Sequence, residues 1–192
     1  MKFVLASASP RRKELLAGLV DNFEIIPSCA EETVTEKLSP KEMVLELAER
    51  KAKEVAMRPE NEGKIVIGSD TVVSFGEEIL GKPCDKADAF RMLKMLSGHR
   101  HQVYTGVCFT YVKRGQFVAL TDADRTDVYF ENLTDEWINS YIEGGSPMDK
   151  AGAYGIQDGG LVKKIEGSYT NVVGFPVELA EKMLRKVGER YD

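Results

Sequence analysis

Residues 3–16, FVLASASPRRKELL, constrain the fold more than any other stretch. Phe3-Val4-Leu5-Ala6 reads as a short buried strand and Ser7-Ala8-Ser9 as a small-residue turn. Ser9 and Pro10 suit the N-cap and first position of a helix, to which Leu15, Leu16 and Leu19 give an apolar stripe. The charge is misplaced for such a helix. Arg11 and Arg12 fall in its first turn, where the backbone already presents about half a positive charge and cations are disfavoured. A bound anion removes the conflict. Backbone N–H groups, the Ser9 hydroxyl and two guanidinium forks make a phosphate site. The plainer alternative is two solvated arginines on an exposed turn.

Along the chain, Phe23 to Pro27 reads as a second strand, followed by an acidic loop, Glu31-Glu32. Adjacent loop carboxylates are either solvated charge or ligands for a hard cation, Mg²⁺ or Mn²⁺. Residues 40–56 give a clear helix, capped by Ser39 with Glu42 in capping-box position. Val44, Leu47, Ala48, Ala52 and Val55 share one arc of its wheel, and Lys51 falls inside that arc while Lys53 points away. A lysine in an apolar stripe either snorkels to water or meets an anion. Lys64 to Ile67 opens a central strand that resumes at Val72 to Phe75, with a break expected at Gly68-Ser69-Asp70-Thr71. Asp70 there either caps a turn made by Gly68 or is a catalytic carboxylate displayed at the break. Pro83 holds Lys82 extended, as a projecting cation or a bland hairpin lysine.

Asp85 caps a helix over about 86–97. His99 and His101 alternate without a third ligand nearby and read as ordinary strand-entry residues, outside the site. Two β-rich segments, 103–111 and 117–130, flank a turn at Lys113-Arg114-Gly115. Thr134 caps a helix with Trp137, Ile138 and Tyr141, in which Trp137 reads as core. Residues 149–157, DKAGAYGIQ, form a glycine-rich turn with neither Rossmann nor Walker spacing. Gln157 in it carries one acceptor and two donors. An amphipathic helix over about 176–188 closes the order, which reads as α/β with a mixed sheet.

Composition narrows the function classes. The 192 residues suffice for one core or two small lobes. A net charge of −5 argues against a broad nucleic-acid surface, though not against a local basic pocket. Cys29, Cys84 and Cys108, an odd count at no metal-like spacing, read as reduced thiols of a cytoplasmic protein. No apolar run approaches the roughly 20 residues of a membrane span, and no signal-peptide core precedes the arginines.

Four blocks in order, LASASPRR, GSDT, GKP and DKAGAYGIQ, resemble the Maf family of nucleoside triphosphate pyrophosphatases from residue 3 to about 185. The resemblance implies a single Maf-like domain over 1–192. It implies an elongated mixed sheet with flanking helices, in two lobes around a cleft, similar to inosine triphosphate pyrophosphatases. It also implies cleavage of a nucleoside triphosphate between the α- and β-phosphates, giving the monophosphate and pyrophosphate. Asp70 would be general base or metal ligand, Glu32 a ligand of Mg²⁺ or Mn²⁺, and Lys51 and Lys82 catalytic cations. Ser9, Arg11, Arg12, Thr71 and Gln157 would bind substrate. Arg11, Thr71 and Gln157 together resemble the dTTP/UTP branch rather than the 7-methyl-GTP branch, with a housekeeping role on modified pyrimidine triphosphates. A homodimer is implied, with no nucleic acid and no membrane as partners. The competing reading from the same resemblance is a nucleotide-binding regulator of septum formation and cell-division arrest.

Overall fold

A computed structural model describes residues 1–113 and 115–191. Arg114, in the expected turn, and Asp192 lie outside the described residues. The strands are β1 (Phe3–Leu5), β2 (Phe23–Ile25), β3 (Ile65–Phe75), β4 (Glu78–Leu80), β5 (Arg100–Lys113), β6 (Gln116–Phe130) and β7 (Val162–Glu166). The helices are α1 (Pro10–Ala17), α2 (Pro40–Ala56), α3 (Lys86–Leu96), α4 (Asp135–Glu143), α5 (Tyr169–Val173) and α6 (Val177–Tyr191). Among the described residues the strands form one mixed sheet in the order β2-β1-β3-β5-β6-β7, with β4 added to β3. β1 runs parallel to β2 and β3, and the remaining pairs are antiparallel. No helix among the described residues is long and apolar enough to cross a membrane.

The long strands β3, β5 and β6 carry two lobes. Toward the parallel strands, α2 covers one face over Val4, Val66, Ala48, Ala52 and Val55. The other face packs Leu5, Ile67 and Phe109 against Leu16 of α1, Phe175 and Met183 of α6. At the far end, α3 and α4 close a second core around Val73, Leu93, Val103, Phe130 and Ile138.

The local chemistry of α2 follows the sequence. Ser39 accepts from the Glu42 backbone while the Glu42 carboxylate accepts from the Ser39 backbone, and Pro40 sits at the first position. Two glycines let this helix lie on the sheet. A Cβ at Gly68 would stand 2.3 Å from the Ala48 carbonyl oxygen, and one at Gly106 would stand 2.2 Å from that of Val44. Either Gly68→Ala or Gly106→Ala is therefore expected to push α2 off the sheet and cost about 3 kcal/mol. For a chain of this size that reads as a melting temperature about 10 °C lower in a calorimetric scan. An unshifted melt would mean that the contact relaxes freely.

One expectation is corrected. β3 runs unbroken through residues 68–71, so Asp70 is not at a strand break and Gly68 makes no turn. The glycine marks helix–sheet contact instead. His101 enters β5 at its second position, as expected, and is wholly buried there, its Nε2 2.8 Å from the Tyr154 hydroxyl. Burial pushes its pKa down to about 3, so it stays neutral. The glycine-rich 149–157 segment is a chain of 3₁₀ turns. Gly152 there takes φ 69° and its Cβ position is blocked by Val73, while Ala153 follows at φ 61°. The segment is tied down by the Gly152 N–H donating to the Gly81 carbonyl, 3.0 Å.

Candidate active site

The sheet leaves a gap where the site lies. β1 pairs β3 only through Ile67, and β4 resumes the pairing at Val73. Residues 68–72 of β3 therefore present an open strand edge, reached by side chains from both faces of the sheet. A cleft of about 730 Å³ fills this gap, lined by the β1–α1 turn, α2, β3, the Lys82 segment and the 149–157 turns. All nine residues singled out from the sequence, Ser9, Arg11, Arg12, Glu32, Lys51, Asp70, Thr71, Lys82 and Gln157, line it.

On the α2 face, the Lys51 ammonium lies 2.6 Å from Asp70 Oδ1 and 2.7 Å from Glu32 Oε1. The lysine that the helical wheel put in an apolar arc thus meets two anions. Its side chain and that of Asp70 are each 12% exposed, whereas Glu32 is 60% exposed. The hydrogen bond from Lys51 holds the Glu32 carboxyl below the ordinary range, with Lys82 and Arg12 adding to the effect. Asp70 Oδ2 has no hydrogen-bond partner among the described residues. Lys82 is exposed and forms no ion pair among them.

Two carboxylates that converge on one ammonium also fit a divalent cation. The described residues offer no cluster of three or more metal-ligating side chains. A cation held here would take two protein carboxylates and draw the rest of its shell from water or substrate, as Mg²⁺ commonly does.

On the opposite face Arg12 is fixed by three acceptors. Its Nε donates to the Gly174 carbonyl at 2.9 Å, Nη2 to Thr71 Oγ1 at 3.1 Å and Nη1 to Ser7 Oγ at 3.4 Å. The hydroxyl protons behind it have a set direction. Thr105 Oγ1 donates its one proton to the Asn171 carbonyl at 2.9 Å. The 3.0 Å contact between Thr71 and Thr105 must then use the Thr71 proton, so Thr71 accepts from Arg12. Burial lowers the Arg12 pKa, and nearby Asp70 opposes the shift. Ser9 caps α1 by accepting from the Arg12 backbone. Arg11 instead crosses to the far lip, Nη1 2.9 Å from Asp149 Oδ2. The paired arginines therefore divide: Arg12 is locked to the sheet and Arg11 spans the two sides of the cleft.

Gln157 is exposed at that far lip, in the turn Ile156–Asp158. Sequence reasoning passed over Asp149, Thr105 and Asn171. A threonine on the inward face of β5 was a faint signal for Thr105; Asp149 opens the 149–157 block, and nothing local marks Asn171.

The sequence model of a family described as Maf-like protein matches residues 2–187. A protein of Thermococcus gammatolerans described as dTTP/UTP pyrophosphatase is 50% identical over 187 residues, with 96% of each chain covered. Proteins with the same description from Thermococcus kodakarensis and Clostridium tetani are 52% and 46% identical, covering 94% and 98% of both chains. Among solved structures, the Ham1 protein of Staphylococcus aureus aligns with a TM-score of 0.51 at 16% identity, over 97% of this chain and 99% of that one. A Ham1 protein from Coxiella burnetii gives 0.51 at 14% identity over the same shares. At such identities these neighbours bear on the fold alone.

Proposed function

The chain belongs to the Maf family, and from that premise we propose that it hydrolyses dTTP and UTP, and modified pyrimidine triphosphates, to the monophosphate and pyrophosphate. The observation that carries the reading is a carboxylate pair and a set of cations facing one another across an open strand edge. A triphosphate brings about four negative charges, and its cleavage depends on positioning and cationic stabilisation. Arg12 is preorganised for that work because the sheet and the α5–α6 turn already hold it. Lys82 supplies an uncommitted ammonium, and the N-terminus of α1 adds backbone donors.

Asp70 divides its two oxygens. Oδ1 faces Lys51, while Oδ2 is free to take the proton of an attacking water. Water oxygen bonds to phosphorus as the bridging P–O bond breaks, and the leaving pyrophosphate departs with that electron pair. Glu32 and Asp70 would hold Mg²⁺ or Mn²⁺, which when bound neutralises phosphate charge and polarises the reacting centre. Gln157 reads the keto edge of the base. In this reading the protein acts as a homodimer in the cytoplasm, a reducing compartment with which its three free cysteines accord.

Pyrophosphate release from dTTP, UTP, CTP, dATP, GTP and 7-methyl-GTP, with Mg²⁺ or Mn²⁺ and with chelator, tests it. Metal-dependent release led by dTTP and UTP is expected. Release led by 7-methyl-GTP would overturn the substrate assignment, and no release at all would favour the nucleotide-binding regulator.

A further inference from the structure

Gln157 is placed by its turn rather than by its own contacts. Its side chain forms no hydrogen bond to another described residue, so the 155–158 backbone alone sets where that side chain leaves the lip and how far it reaches. One hydroxyl closes that turn from outside. The Gly155 N–H donates to Tyr141 Oη at 3.0 Å, and the Tyr141 hydroxyl donates to Asp158 Oδ2 at 2.5 Å. Tyr141 thus bridges the two residues that bracket Ile156 and Gln157. The backbone adds a bond from the Asp158 N–H to the Gly155 carbonyl at 3.1 Å. Ser146 Oγ donates to the same Asp158 oxygen at 2.6 Å.

The bridge is built rather than incidental. Tyr141 stacks on Trp137, ring centroids 5.2 Å apart and planes at 17°. Trp137 is in turn backed by Gly160, where a Cβ would stand 3.2 Å from its ring. A Cβ at Gly155 would stand 2.8 Å from Asp158 Oδ2, so any larger residue would prise the carboxylate from the hydroxyl. The aromatic pair of α4, of which Trp137 reads from the sequence as core, faces this turn.

We propose that Tyr141 is a specificity-determining positioning residue, whose hydroxyl fixes the Gly155–Asp158 turn so that Gln157 meets the keto edge of a pyrimidine base. It touches no substrate and acts through Gln157. The inference rests on the reading of Gln157 given above. An amide held at the right distance presents its donor to O4 and its acceptor to N3–H, a pairing cytosine does not match because its donor and acceptor are reversed at those positions. A turn free to move carries the amide out of reach of both positions, and the preference it supplies is lost.

The test is the ratio of kcat/KM for UTP to that for CTP in wild type, Tyr141→Phe, Ser146→Ala, Gln157→Ala and the Tyr141→Phe/Gln157→Ala double variant. Phenylalanine keeps the stack on Trp137 and removes only the hydroxyl. The expected result is about a tenfold fall in the ratio for Tyr141→Phe and a smaller fall for Ser146→Ala. In the Gln157→Ala background, Tyr141→Phe should leave the ratio unchanged. A merely structural role would lower both rates together and leave the ratio intact. Discrimination retained in Tyr141→Phe, with wild type discriminating, overturns the inference while the function stands. A wild type that turns over UTP and CTP equally overturns the reading of Gln157 and this inference with it.

Discussion

Asp70→Asn is expected to lower turnover of dTTP by about 10³-fold, within the range set by loss of a general base, with little change in fold. The amide keeps the shape of the carboxyl and can still accept a hydrogen bond from Lys51, but it takes up no proton from water. It also removes one of the two charges that converge on the Lys51 ammonium. Removing one partner of a fully buried pair costs about 3–5 kcal/mol. Here the loss is smaller, because Glu32 remains 2.7 Å from the same ammonium and opens to solvent. Single-turnover pyrophosphate release, read beside a thermal melt, separates the two effects. A folded variant with a tenth or more of wild-type turnover would remove Asp70 from the chemistry.

How much of this was legible beforehand varied with the range of the interaction. The start of α2 was readable because Ser39, Pro40 and Glu42 satisfy one another within a single turn. Lys51 was suspect because a helical wheel exposes a cation among apolar neighbours, and the suspicion identified an anion without saying which. Gly68 misled. Glycine inside a strand pattern signals either a break or a close approach, and only the position of Ala48 in space decides between them. The two arginines looked like one unit because they are adjacent in sequence. Their partners, Gly174 and Asp149, lie more than a hundred positions away, so their division of labour has no local signature. His101 stands at strand entry as read, but its burial had no local signature: the Tyr154 hydroxyl and Phe130 ring that cover it come from other strands and turns. The family resemblance supplied the site because it carries long-range information that propensity and periodicity lack.

Lys51→Met is expected to have two opposed effects, a kcat lower by about 10²-fold or more and Mn²⁺ binding to the nucleotide-free protein tighter by about tenfold. The ammonium sits where a divalent cation would be held, 2.6 Å and 2.7 Å from the two carboxylates. Methionine has similar length and no charge. Without the ammonium, Asp70 and Glu32 face one another uncompensated, and like charges about 4 Å apart repel by roughly 4 kcal/mol at an effective dielectric of 20. A cation that relieves even a third of that gains about tenfold in affinity. The loss in kcat follows because Lys51 is one of the cations that would face the phosphates in the proposed reaction. Acid stability gives an independent sign. Lys51 holds the Glu32 pKa below 4.5 in the folded protein, so the pair contributes stability above that value and loses it as pH falls through the lowered pKa. The melting difference between wild type and Lys51→Met should therefore narrow below about pH 4. Electron paramagnetic resonance or calorimetric titration with Mn²⁺ reads the first effect without any turnover. Weaker or unchanged Mn²⁺ binding would mean that Lys51 orders the two carboxylates for the cation instead of occupying its place.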